Sequence, residues 1–191
     1  MKLRLKILFF SLILAIGTNV SAQNTKQSKK DQKTYEIRTA PLAFWANWIT
    51  VDLSYISKNW AFGPSYVKYA NTSEYGNMFL PTFQGNAIGA HFIYASSFNE
   101  TNYYLGGHTY YEDYYSYPHG GTYYRTKYIG LRTSLVVGYR LASQDYSMMM
   151  GVGAVSYNHQ TTKYEMNNSI SQEGNSNFVG PFFELKIGLM F

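Results

Sequence analysis

The chain has 191 residues, no cysteine, 46% hydrophobic and 18% aromatic residues against 14% charged ones, and a formal net charge of +5. The lack of cysteine excludes disulfides, thiol catalysis and a lipid-modified N-terminal cysteine. The positive balance does not indicate nucleic acid: seven of the 16 basic residues lie before Thr34, and from there on nine basic residues face ten acidic ones.

Residues 1–22 have the layout of a secretory signal. Lys2, Arg4 and Lys6 precede an eleven-residue run, 7–17, that is apolar except for Ser11 and Gly17, and Val20-Ser21-Ala22 offers a small-residue cleavage site before Gln23. The run is well short of the roughly 20 residues a spanning helix needs. Residues 23–33 carry Lys26, Lys29, Lys30 and Lys33 against Asp31 alone, a basic polar linker with nothing to bury. The remainder, 34–191, reads as one domain.

That domain shows widespread two-residue alternation and no sustained 3.6-residue period. It predicts strands at 35–44, 47–57, 60–70, 85–97, 102–113, 125–142, 145–157 and 178–191. Lys58-Asn59, Asn99-Glu100 and Ser143-Gln144 read as short turns; 71–84, 114–124 and 158–177 read as long loops; a break falls near Trp45-Ala46 between the first two strands. Short turns on one side and longer loops on the other fit an all-β, eight-stranded, antiparallel up-and-down transmembrane barrel, with periplasmic turns and extracellular loops.

Opposed residues in a hairpin have a constant index sum and share a face. Around Lys58-Asn59 the sum is 117, matching Tyr55 with Phe62, Val51 with Tyr66, and Asp52 with Ser65. Around Ser143-Gln144 the expected sum is 287, matching Leu141 with Tyr146, Tyr139 with Met148 and Arg140 with Ser147. Around Asn99-Glu100 the sum is 199, which sets His91 against His108. One face is aliphatic and aromatic, with Tyr and Trp near the strand ends as an interfacial girdle requires. The other collects Gly63, Gly89, Gly106, Gly130, Gly138, Gly151, Gly153 and Gly188 together with the ions. Small residues and paired ions suit the crowded interior of a narrow barrel. The expected interior charge network is Glu36, Arg38, Asp52, Arg132, Arg140, Glu184 and Lys186. Closing the first strand on the last at sum 222 would place Glu36 against Lys186 and Arg38 against Glu184.

With its signal segment, strand pattern and a last strand ending in Phe191, the domain resembles the small outer-membrane β-barrel proteins of Gram-negative bacteria, of the OmpA/OmpX transmembrane type. Ile37-Arg38-Thr39-Ala40-Pro41-Leu42 and Val51-Asp52-Leu53-Ser54-Tyr55 are also similar to poorly characterised small barrels of unknown function. The resemblance implies an outer-membrane location and a barrel-assembly signal at Phe183, Leu185, Ile187, Leu189 and Phe191. It implies outer-membrane lipid and the barrel assembly machinery as partners.

Several residues could carry more. His91 and His108 could bind a metal or titrate near neutral pH, but no third ligand is identifiable from the spacing, and a hydrogen-bonded interior explains them as well. The tyrosine-crowded stretch 103–128 also holds Glu112, Asp113 and His119. Its Tyr114, Tyr115, Tyr117, Tyr123 and Tyr124 are candidates for binding an extracellular ligand or surface partner. Met148, Met149 and Met150 alternate and read as packing. No motif fixes a nucleophile beside a base, so no catalytic residue, cofactor, metal or nucleic-acid partner is expected. Two rivals remain: a lipid-modifying outer-membrane enzyme with His119 or His159 at the rim, and a soluble lipocalin-like barrel with the apolar face inside.

Overall fold

The computed structural model describes residues 34–46, 48–70, 82–117, 124–143, 145–165 and 169–191. The expected signal segment and linker, His119 and Tyr123 lie outside the described residues. Eight strands follow in order: β1 Tyr35–Thr39, β2 Trp48–Ser57, β3 Trp60–Tyr69, β4 Thr82–Ala95, β5 Asn102–Tyr117, β6 Tyr124–Ala142, β7 Tyr146–Glu165 and β8 Ile170–Met190. Each pairs antiparallel with its neighbour, and β8 returns to β1, so the sheet closes into a barrel.

Alternation decides which way each side chain points, and it does so as the sequence predicts. Leu53, Tyr55, Phe62, Ile88, Leu105, Leu135, Val137, Val152 and Leu189 are exposed on the outside. Glu36, Arg38, Asp52, His91, His108, Glu112, Arg140, Glu184 and Lys186 are buried inside. This is the reverse of a soluble protein's arrangement, and it removes the lipocalin-like rival. Tyr35, Tyr55, Trp60, Tyr94, Tyr103, Tyr139 and Tyr146 ring the outer surface at the end near Phe191, here the lower rim.

The first hairpin keeps the expected sum of 117, with Val51 opposite Tyr66 and Tyr55 opposite Phe62. Its tight turn places Lys58 at φ 53°. The β4–β5 hairpin keeps the sum of 199. The strands there stop at Ala95 and resume at Asn102, so the connection is longer than the two residues expected. Phe98 from this connection is folded inward and buried.

Three expectations need correction. First, the β6–β7 sum is 289, not 287: Leu141 opposes Met148, Tyr139 opposes Met150, and Arg140 opposes Met149 rather than Ser147. The hairpin closes from Ser143 N–H to Tyr146 C=O at 2.8 Å, one residue further along than Ser143-Gln144. A shift of two preserves both faces, so alternation is blind to it.

Second, the first strand ends at Thr39 instead of running to 44. Pro41 has no N–H to continue the ladder. The chain turns into a 3-10 segment, Pro41–Ala46. Thr50 stands in for the missing pairing: its hydroxyl accepts from Ala40 N–H at 2.8 Å, and its carbonyl accepts from Thr39 Oγ1 at 2.7 Å.

Third, the expected loops 114–124 and 158–177 are largely strand. β5 continues to Tyr117, β7 to Glu165, and β8 begins at Ile170. The wall is therefore tall from β5 to β8 and low at β1 to β3.

Candidate functional site

Buried ions must be paired, because each one taken out of water costs several kcal/mol. The interior meets this demand in three tiers along the barrel axis.

The lowest tier joins β1, β6 and β7. Arg140 Nη2 lies 3.4 Å from Glu36 Oε1, and Arg38 Nη1 lies 3.9 Å from Glu36 Oε2. Ser147 donates to Glu36 as well. Arg140 also donates to the Phe98 carbonyl at 2.5 Å, with its guanidinium 5.1 Å from the ring centroid. Phe98 thereby plugs the lower end.

The middle tier centres on Lys186. Its Nζ lies 2.6 Å from Asp52 Oδ2 and 3.0 Å from Glu184 Oε2. His108 Nε2 lies 2.8 Å from the same Glu184 oxygen. Tyr104 donates to Glu184 Oε1 at 2.9 Å. Tyr104, Gly138, Gly151 and Glu184 form one register row across β5, β6, β7 and β8. The Tyr104 ring lies across the two glycines, where any side chain would collide with it.

The upper tier joins Glu112, Arg132, His159 and Tyr69. Arg132 Nε lies 3.1 Å from Glu112 Oε1, His159 Nε2 lies 3.0 Å from Glu112 Oε2, and Tyr69 donates to Glu112 at 2.6 Å. Arg132 sits 4.4 Å over the Tyr110 ring. Aromatic side chains close over this tier: Tyr114 packs at 5.1 Å on Tyr69, 5.1 Å on Tyr128 and 5.8 Å on His159.

All seven residues of the expected charge network thus face the interior, divided among three tiers. The expected pairing across the β1–β8 seam is wrong. Arg38 opposes Gly188 and Glu36 opposes Met190, a sum of 226 rather than 222. Glu36 and Arg38 crowd the space above Gly188, where a Cβ would meet Glu36 Oε1 at 2.7 Å and Arg38 Cγ at 2.8 Å. The ions on β1 therefore find partners on β6 and on each other, while Lys186 and Glu184 pair further up.

His91 and His108 do oppose each other, with ring centroids 6.0 Å apart. Their nitrogens turn to different partners. His91 lies between Ser54 at 2.9 Å and Ser65 at 2.8 Å, and His108 turns to Glu184 and Lys186. The expected loop tyrosines Tyr114, Tyr115, Tyr117 and Tyr124 stand on β5 and β6. Tyr114 is part of the inner aromatic cover. Tyr115 faces outward, with Arg125 at 4.7 Å and Lys127 at 5.7 Å from its ring, and Tyr164 also stacks on Arg125 at 5.5 Å. Lys163 lies 3.9 Å over Tyr124.

Sequence reasoning missed His159, Phe98 and Tyr104 as interior groups. His159 falls in the stretch 158–177 that composition marks as a loop, although the alternation of β7 continues through Tyr157 and His159. His159 with Glu112 is a histidine–carboxylate pair, but both are buried beneath aromatic rings, and no hydroxyl hydrogen-bonds His159 among the described residues. Phe183, Leu189 and Phe191 are exposed outside; Leu185 and Ile187 are half-buried on the same face. Phe191 stacks on Tyr35 at 6.2 Å and exchanges backbone hydrogen bonds with it.

No protein-family model matches the chain, and no curated protein does. Among solved structures, it is similar to the N-terminal β-barrel domain of Pseudomonas aeruginosa OprF, at 11% identity and a TM-score of 0.48, covering 84% of this chain and 98% of that one. It is also similar to Neisserial surface protein A (NspA), at 14% identity and a TM-score of 0.45, covering 82% and 93% respectively.

Proposed function

We propose that this chain is an outer-membrane β-barrel with a structural or surface-interaction role, built as a side-chain-filled cylinder rather than a diffusion pore. The observation that carries this reading is the inverted distribution of polarity: an apolar outer belt edged by aromatic rings encloses an interior in which Glu36, Asp52, Glu112 and Glu184 each lie within 4 Å of a cation. Lipid is the solvent that stabilises such a surface. In this orientation the tight turns and Phe191 lie on the periplasmic side. The tall β5–β8 wall stands on the cell exterior, presenting Tyr115, Arg125, Lys127 and Tyr164 to whatever approaches. The strand of Phe183, Leu185, Ile187, Leu189 and Phe191 then serves as the recognition element for barrel assembly.

The test is fractionation of cells expressing the full chain, followed by electrophoresis of boiled and unboiled samples. The expected result is recovery in the outer-membrane fraction with faster mobility before boiling. Recovery as a soluble periplasmic protein overturns the reading.

A further inference from the structure

His91 is held between two hydroxyls, and their order fixes where its proton sits. Arg38 Nη2 lies 2.7 Å from Ser54 Oγ, Ser54 Oγ lies 2.9 Å from His91 Nε2, and Ser65 Oγ lies 2.8 Å from His91 Nδ1. A guanidinium only donates, so Ser54 Oγ accepts from Arg38 and keeps its own hydrogen for His91 Nε2. Nε2 is then the acceptor, Nδ1–H donates to Ser65, and the imidazole is neutral. Arg38, Ser54, His91 and Ser65 stand on β1, β2, β4 and β3, so one directional chain of hydrogen bonds ties these strands together from inside. β1 gains most from the tie, because it pairs with β2 only from Tyr35 to Arg38 and with β8 only from Glu36 to Thr39.

A second proton on His91 does not fit this chain. It turns Nε2 from acceptor into donor, against a hydroxyl that already takes Arg38, and sets an imidazolium and a guanidinium on one oxygen. The surroundings offer no spare counter-ion. Asp52 Oδ1 on β2 is 4.0 Å from Nδ1, beyond hydrogen-bond reach, and the other Asp52 oxygen holds Lys186 of β8 at 2.6 Å. His108 of β5 faces His91 with ring centroids 6.0 Å apart, and its nitrogens are engaged with Glu184 and Lys186. Among the described residues the interior carboxylates Glu36, Asp52, Glu112 and Glu184 are matched by Arg38, Arg132, Arg140 and Lys186. A charge added to this balance is uncompensated, and a buried charge without a partner is strongly destabilising.

We propose that His91 is an acid-released latch: neutral, it holds β1 against β2, β3 and β4 through Ser54 and Arg38; protonated, it lets that chain go and loosens the seam between β1 and β8. Imidazole is the side chain whose charge ordinarily changes between about pH 5 and 8. The neutral form is the one the chain uses, so the hold is present above that range and lost as the pH falls through it. The latch belongs to the barrel interior and goes beyond the proposed surface role without depending on it.

Amide hydrogen exchange of the full chain, folded in micelles, reads the seam strand by strand. Protection is compared at about pH 7.5 and about pH 5, on either side of the ordinary imidazole value, after correction for intrinsic exchange. The expected result is an at least tenfold loss of protection in Tyr35–Thr39 at the lower pH, while the β6–β7 ladder keeps its own. His91→Gln, whose amide takes up no proton, abolishes the response, and His108→Gln and His159→Gln retain it. Ser54→Ala cuts the chain without touching the imidazole, so β1 is poorly protected at both pH values; this variant carries the test should His91→Gln fail to fold. Equal protection of β1 at the two pH values in the parent chain overturns the latch. So does an acid response that survives in His91→Gln or is removed instead by His108→Gln or His159→Gln, and so does a β1 as well protected in Ser54→Ala as in the parent at the higher pH.

Discussion

Tyr104 on β5 hydrogen-bonds Glu184 on β8 at 2.9 Å, reaching past both β6 and β7. Neighbouring strands lie about 4.8 Å apart, so a side chain ordinarily meets only the next strand. The reach is possible because Gly138 and Gly151 fall in the same register row and leave a trough under the ring. A Cβ at Gly151 would also come within 2.7 Å of Val136 Cγ2.

Gly151→Ala should therefore lose about 1–3 kcal/mol, the usual cost of overpacking. Tyr104→Ala combined with Gly151→Ala should be less destabilising than the sum of the two single changes. Urea unfolding in lipid vesicles measures all three. Strict additivity would show that the glycine does not serve the crossing.

Lys186 holds two carboxylates, Asp52 and Glu184, in the middle tier. Lys186→Met leaves both without their cation and should cost about 3–5 kcal/mol. Adding Asp52→Asn and Glu184→Gln removes the stranded charges and should recover most of that loss. A triple variant no more stable than Lys186→Met alone would assign the effect to packing rather than charge.

The closing register can be read chemically. Ile37 and Leu189 are directly opposed on the outer face, whereas a sum of 222 would oppose Ile37 with Leu185. Opposed residues have Cα atoms about 4.5–5.5 Å apart, within disulfide range. A four-residue offset adds about 13 Å. Ile37→Cys with Leu189→Cys should cross-link under mild oxidation, detected by mobility without reductant. Ile37→Cys with Leu185→Cys should remain reduced.

Leu135 lies mid-belt on β6 and is 55% exposed. Leu135→Arg should cost about 2–4 kcal/mol in a bilayer, the penalty for a cation near the midplane of a barrel's lipid face. Gln160→Arg, outward on the tall part of β7, should be close to neutral. Equal costs at the two positions would remove the belt from its assigned depth.

The sequence makes the two faces of every strand legible because a side chain's face depends only on parity. Leu135 and Arg140 fall on opposite faces whichever residue begins the turn. Register is less legible. The β6–β7 error of two and the β1–β8 error of four both conserve parity, so no apolar residue crosses the wall and no pattern signals the mistake. What fixes register is local and steric: the Ser143–Tyr146 closure, and the space over Gly188 that Glu36 and Arg38 fill. Strand ends are less legible because β7 and β8 continue past the apolar belt with Asn158, Gln160, Thr162, Asn175 and Asn177 on their outer face, and β5 continues with Asp113 among tyrosines. Polar residues on a solvated strand look like loop when only composition is read. His159, set among Asn158, Gln160 and Thr161, is hidden by the same composition.

The closing ladder of four residue pairs has a consequence for how the molecule comes apart. β7 and β8 share a ladder nearly five times as long as the one joining β8 to β1. Each pairing contributes cooperatively, so opening does not begin uniformly around the ring. β1 is the rip-line: five residues held by short ladders on both flanks. Heat or tension releases it first, and the cylinder unrolls as a curved ribbon whose best-knit portion, β5 to β8, is the last to fray.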